Sequence, residues 1–292
     1  MTIRHLKIFI AVAEYGGMRK ASEVLYISQP SISQAIMELE KHYNVRLFER
    51  LSKKLYITDD GKHLLSYAKH LVKSFDDLET MMMERGRNKK IHIGASVSVG
   101  TCLLDGILEK LEERDSNIEA FVTVNNTSKI EELILNNELD VALVEGEIES
   151  DDIIKKPICE DELVVVVGKK NDLYKNDIID LEKLQGQDFI GREEGSNDRN
   201  QLEQFLINKG IKLNKKWSCT NTEAIKNTVI RGNGIALLSK MIVKEEVEKG
   251  SLKILSLKNI KIKREIKLIY HKNKYISETI NEFIDVCINK EI

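Results

Sequence analysis

Residues 11–50 read AVAEYGGMRKASEVLYISQPSISQAIMELEKHYNVRLFER, and this stretch decides the fold of the first domain. Leu6, Phe9, Ile10 and Ala13 recur at helical spacing, and Gly16 and Gly17 behind them close a first helix. A second short helix is expected from about Met18 to Leu25. Ser28 and Pro30 then open a third. A serine hydroxyl can accept from first-turn N–H groups, and proline gives up only a donor that has no partner there. Ile32, Ala35, Ile36 and Leu39 carry this helix to Tyr43 and Asn44, where asparagine suits a left-handed cap. Two short helices joined by a tight turn, the second beginning with small polar residues, form a helix-turn-helix.

Residues 45–61, VRLFERLSKKLYITDDG, hold two extended pieces around 47–49 and 55–57, with Ser52, Lys53 and Lys54 at the tip between them. That pattern is a two-stranded wing. Thr58 is expected to cap a long helix on which Leu64, Ala68, Leu71, Phe75, Leu78 and Met82 follow at steps of 4, 3, 4, 3 and 4, a heptad seam. The expected partner of that stripe is the same helix of a second subunit; packing on the protein's own domains is the alternative. Residues 85–90, RGRNKK, end the helix and mark a domain boundary.

A recognition helix sets its first-turn side chains against base edges in the major groove. Here these are Gln29, Ser31, Ser33 and Gln34, with Pro30 in the same turn. Glutamine can bond bidentately to adenine, and serine can donate to a base or a phosphate. Arg50, Lys53 and Lys54 on and beside the wing, with Arg4, Arg19 and Lys20, are candidate backbone contacts. Plain helix capping is the competing reading of Ser31 and Ser33. A dimer would read double-stranded DNA as an interrupted palindrome, one half-site per subunit.

Charge agrees with that division. The 292-residue chain carries a net charge of −2, but residues 1–90 hold 16 Lys or Arg against 11 Asp or Glu, leaving 29 against 36 in the remainder. A basic head on an acidic body is the asymmetry expected when one domain meets DNA. No apolar run reaches the ~18 residues of a membrane span, and Arg4, His5, Lys7 and Glu14 break the N-terminal stretch as a signal. The four cysteines, Cys102, Cys159, Cys219 and Cys287, are too dispersed for a zinc pair or a disulfide framework. The expectation is a cytoplasmic protein without cofactor or metal.

From Ile91 the pattern changes to strands alternating with helices. Strands are expected at 91–93, 119–124 and 140–144, with helices at 101–113 and 128–137 between them. Another αβ set runs from Leu163 through 238, followed by a strand at 266–270 and a terminal amphipathic helix. This order implies an α/β domain with a mostly parallel sheet and two similar lobes.

The sequence resembles the LysR-type transcriptional regulators over essentially its whole length. Residues 11–50 and the ITDDG at 57–61 carry the resemblance in the first part. IGASVSVG at 93–100, VNNTSKIEELILNNELDVALVEG at 124–146, REEGSNDR at 192–199 and TEAIKNTVIRGNGIALLSK at 222–240 carry it in the second. Met18, Asn44 and Asp198 depart from the usual pattern, and Asp198 could alter effector charge preference. The resemblance implies a winged helix-turn-helix over 1–60, a dimerising linker helix over 61–87 and an effector-binding domain over 88–292. That domain is similar to periplasmic binding proteins, with one lobe at about 91–161 plus 267–292 and the other at about 162–266. It further implies a small, often anionic effector, a dimer or tetramer, and RNA polymerase as a partner.

Small-residue loops between strands and helices can bring N–H groups and hydroxyls to a ligand in the cleft. Ser96, Ser98, Thr127 and Ser196 are the first candidates, with Asn126 and Glu145 beside them; capping of each helix is the alternative role. An enzyme is disfavoured, since G-x-S-x-G, a P-loop and H-E-x-x-H are absent and Gly232-Asn233-Gly234 stands between helix and strand in the wrong order for a dinucleotide site. An architectural DNA-binding dimer without ligand is the remaining rival.

Overall fold

The computed structural model describes residues 1–51, 54–84, 89–194 and 196–288. Ser52, Lys53, the segment 85–88 and Gly195, all named above, lie outside the described residues, as does the side chain of Asp198. Two compact units divide the chain, one holding residues 1–88 and 135–138, the other 89–134 and 139–292.

In the first unit α1 (Ile3–Tyr15) is stopped by Gly16, whose φ of 67° is the left-handed value glycine takes without penalty. Then come α2 (Met18–Leu25) and α3 (Gln29–Tyr43). Ser28 caps α3 by accepting from the Ser31 N–H at 3.3 Å, and Asn44 ends it in the left-handed region. β1 (Phe48–Leu51) and β2 (Lys54–Ile57) pair antiparallel, Phe48 opposite Ile57, as the wing. The Glu40 carboxylate of α3 accepts from the Leu47 N–H at 2.8 Å and so ties the wing to that helix.

Thr58 opens α4 (Asp59–Glu84), accepting from the Gly61 N–H at 3.0 Å while donating to the Arg46 carbonyl at 2.6 Å. A Cβ on Gly61 would stand 2.4 Å from the Leu47 carbonyl oxygen, so only glycine lets the wing approach this turn. Leu6, Phe9, Ile32, Ile36, Leu39 and Leu47 fill the core, with the Phe9 and Phe48 rings 5.5 Å apart. Ala68 of α4 is buried in that same core. Lys7 to Asp76 and Lys69 to Glu14, both at 2.8 Å, join α1 to α4. The long helix therefore packs on the head.

The second unit runs β3 (Lys89–Ser96), α5 (Val97–Cys102), α6 (Leu104–Arg114), β4 (Ile118–Asn125), α7 (Thr127–Leu135) and β5 (Val141–Glu145). It continues with β6 (Ile153–Gly168), β7 (Ile178–Ile179), β8 (Asp188–Arg192), α8 (Asn197–Asn208) and β9 (Asn214–Cys219). Then follow α9 (Thr222–Ile230), β10 (Ile235–Ser239), α10 (Lys244–Glu248), β11 (Leu252–Leu257), β12 (Ile262–His271) and α11 (Glu278–Ile288). The sheet order is β4-β3-β5-β12-β6-β10-β8-β9, with β11 on β6 and β7 on β11.

Parallel pairing holds only within each lobe, β4-β3-β5 in one and β10-β8-β9 in the other. The join is antiparallel, which corrects the expectation of a mostly parallel sheet. β6 pairs with β12 up to Leu163 and with β10 beyond it, and β12 takes β5 as its second neighbour from Ile266, where the register shifts. These two long strands are the bridge between lobes. Ile91, Ile93, Val141, Leu143, Leu268 and Phe283 fill one lobe, while Leu163, Val165, Phe189, Ile235 and Leu237 lie in the other. No described helix is long and apolar enough to cross a membrane.

Candidate nucleic-acid interface and ligand cleft

α3 has two unlike faces. Ile32, Ala35, Ile36 and Leu39 point into the core, whereas Gln29, Pro30, Ser31 and Gln34 are exposed and Ser33 is half-buried. The Ser31 hydroxyl sits 2.8 Å from the Ser28 hydroxyl, so it is drawn into the cap. Gln34 Nε2 donates to Glu38 Oε1 at 2.8 Å, and His5 Nε2 lies 2.9 Å from Glu38 Oε2. The bonds from Gln34 and then His5 hold the Glu38 carboxyl below its ordinary range. Gln34 is thus partly committed within its own helix, while Gln29 and Ser33 have no side-chain hydrogen bond among the described residues to break before reaching a base.

Arg4, Lys20, Arg50 and Lys54 are exposed without an ion pair among the described residues; Arg19 pairs with Glu23 one turn on at 3.2 Å. Tyr26, not among the expected contacts, is 94% exposed in the turn between α2 and α3, with φ of 53°. Its position at a helix junction was the only sequence signal for it.

The expected seam on α4 divides. Leu71, Phe75, Leu78 and Met82 are exposed apolar residues, Leu64 packs against the head and Ala68 is fully buried in it. Ala68 is therefore removed from the seam, because it is buried in the head's own core, where α1 packs along α4. Tyr67 takes its place in the exposed row, which reads 67, 71, 75, 78 and 82.

In the second unit the candidate ligand residues gather where β3, β5 and β8 end. Ser96 donates to the Glu145 carboxylate, and Thr127 Oγ1 donates to the Glu145 carbonyl at 3.3 Å. Among the described residues the Ser98 hydroxyl is buried without a hydrogen-bond partner, and so is that of Thr222 at the start of α9. Ser196 is buried and makes no side-chain cap. Only Asn126 of the six caps its helix with its side chain, accepting from the Lys129 N–H at 2.9 Å.

The charged floor of this site was not foreseen. Arg264 of β12 lies opposite Asp161 of β6 in register and donates to Asp161 Oδ2 through Nε at 2.8 Å, with Nη2 2.6 Å from the same oxygen as an ion pair. Its Nη1 is 3.5 Å from Glu145 Oε1, and Ser239 donates to Asp161 Oδ1 at 3.0 Å. A chain of buried groups, Ser96–Glu145–Arg264–Asp161–Ser239, therefore crosses from one lobe to the other. A buried charge set of this kind persists only when each member is paired.

Arg192, also buried, holds Glu193 bidentately at 2.9 and 3.0 Å, and the Asn126 side chain bonds the same carboxylate from the other lobe. Burial pushes the Glu193 carboxyl up, and the bonds from Arg192 and Asn126 outweigh it and leave the group below its ordinary range. Two signals could have found these residues. Ile262, Arg264 and Ile266 alternate on one strand face, which puts an arginine on the apolar side, and Arg192-Glu193 opens the REEGSNDR phrase. Among the described residues no group of three or more His, Cys, Asp or Glu could hold a metal ion.

Two family descriptions match the chain: "Bacterial regulatory helix-turn-helix protein, lysR family" over residues 3–62 and "LysR substrate binding domain" over residues 84–290. The Escherichia coli regulator YeiE, an HTH-type transcriptional regulator, is 29% identical over 287 residues, spanning 98% of this chain and 97% of its own. Full-length OxyR from Pseudomonas aeruginosa has a similar fold with a TM-score of 0.71 at 18% identity, covering 98% of this chain and 94% of that one. The CcmR regulatory domain of Synechocystis PCC6803, solved in complex with 2-PG, aligns with a TM-score of 0.65 at 24% identity over 68% of this chain and 96% of that one.

Proposed function

Because the chain belongs to the LysR family of bacterial transcription regulators, matched over both its helix-turn-helix and its substrate-binding parts, we propose that it reads an interrupted palindrome as a dimer under the control of a small anionic metabolite. The observation that carries the DNA-reading half is the division of α3: one face is locked into the core, and the other offers Gln29 and Ser33 at its first turns without a competing side-chain bond. Gln29, Ser33 and Gln34 reach base edges. Arg4, Arg19, Lys20, Arg50, Lys53 and Lys54 meet phosphates, and Ser31 and Pro30 set the start of the helix against the groove. The exposed row Leu71, Phe75, Leu78 and Met82 pairs with its copy in the second subunit.

The effector enters the cleft beside Ser96, Ser98, Asn126, Thr127, Glu145 and Ser196. Arg192 supports the anionic character, because its buried fork now holds a carboxylate of its own chain, and an effector carboxylate can take the same two bonds. The protein works in the cytoplasm, where its DNA is. A tetramer formed through effector domains and a contact with RNA polymerase at the promoter belong to the same reading. Footprinting on the DNA flanking the regulator's own gene, with and without candidate carboxylates, tests the proposal. A protected palindrome whose pattern changes with one of them supports the sensor, and a footprint indifferent to all of them favours a purely architectural dimer.

A further inference from the structure

A second pocket, of about 550 Å³, lies where the bridging strands meet α10. Asp161 at its base belongs to the ion network of the cleft, but the rest of its lining does not. Met241, Val247 and Ile254 form an apolar, half-exposed floor, and Lys240, Lys244, Lys263, Glu160, Glu162 and Glu248 stand around it. Most of those rim charges are already matched, Lys240 with Glu162 at 3.4 Å and Lys263 with Glu160 at 2.6 Å. Lys244 and Glu248, one turn apart on α10, have no ion pair among the described residues and are both exposed.

One unmatched cation, one unmatched anion and an apolar floor between them select a ligand with the same three parts. We propose that this pocket binds an apolar α-amino acid: its carboxylate at Lys244, its ammonium at Glu248, its side chain on Met241, Val247 and Ile254. Both charges are solvated when the pocket is empty; a zwitterion pairs with each, whereas a simple carboxylate or a simple amine pairs with one, so the zwitterion is favoured over either.

The position gives such a ligand a route to the first site. Asp161, at the pocket base, is bonded to Arg264 and Ser239, and Arg264 reaches Glu145 in the cleft. Occupancy that shifts β6 against β12 changes the geometry of that chain, and by linkage any effect on cleft affinity is returned equally on the pocket.

The test is isothermal titration of the full chain with L-leucine, 4-methylpentanoate and 3-methylbutylamine. Leucine is expected to bind one site per chain, and the two single-charge analogues to bind more weakly. Lys244→Ala and Glu248→Ala, both exposed positions, should each weaken leucine by about two- to five-fold, and Lys244→Glu by more. Ser98→Ala, in the cleft, should leave leucine binding unchanged. Absence of leucine heat, equal binding of the analogues, or loss of leucine binding in Ser98→Ala would each overturn the assignment, the last by placing the amino acid in the cleft.

Discussion

Arg264 shows how far a single residue can be read from sequence. It stands among Lys261, Lys263, Glu265 and Lys267, a run that reads as a solvated strand edge, and only its alternation with Ile262 and Ile266 places it inward. Replacing it by methionine would leave Asp161 and Glu145 buried without their cation. The expected cost is about 3–5 kcal/mol, or a melting temperature lower by roughly 6–20 °C for a domain of this size; an unchanged melt would show that the network is not built as described. Ser98→Ala has the opposite signature. The hydroxyl has no hydrogen-bond partner among the described residues, so its removal should not lower the melting temperature, while effector affinity should fall by about ten-fold if the hydroxyl bonds the ligand anion. Glu193→Gln weakens the internal competitor on Arg192, and a carboxylate effector should then act at lower concentration. Asp140 supplies a pH test. Burial would raise its carboxyl, but Lys274 at 2.5 Å and the His92 N–H at 2.7 Å hold it below its ordinary value. A depressed carboxylate contributes stability that is full above the unfolded value near ~4 and is lost as pH falls through the folded value. Asp140→Asn should therefore lower stability at neutral and alkaline pH, change it least at strongly acid pH, and so flatten the acid side of the stability curve.

At the scale of elements, short-range chemistry made the head legible. Ser28, Pro30, Gly16, Asn44 and Thr58 each fix a helix end through bonds within a few residues, so the sequence alone places α1 to α4 closely. The first half of β6 was hidden, because Lys155, Lys156, Pro157, Glu160, Asp161 and Glu162 mask a strand whose partner β12 lies about a hundred residues on. The α4 seam was half legible, since a heptad count cannot tell which subunit fills the space beside Ala68. That difference is measurable. Leu71→Asp with Phe75→Asp should halve the particle mass in light scattering without unfolding the head, as both residues are exposed. Ala68→Leu should do the reverse, overpacking the core by about 1–3 kcal/mol while the mass stays that of the parent.

At the scale of the whole molecule, the order of strands and helices announced two αβ lobes, but not the way they join. Parallel pairing follows from βαβ connections within each lobe. The antiparallel bridge joins β6 and β12, which are distant in sequence and leave no local signal. The central claim concerns the head, which should read two inverted half-sites through Gln29 and Ser33. Selection of bound duplexes from a random library by the full chain tests it directly. The account predicts enrichment of an inverted repeat with centres a whole number of turns apart, each about 10–10.5 base pairs, and loss of preference at one position in each half-site for Gln29→Ala, while Lys54→Ala weakens all duplexes alike. Enrichment of a single unrepeated site, or a Gln29→Ala protein that selects the parental sequence unchanged, would contradict it.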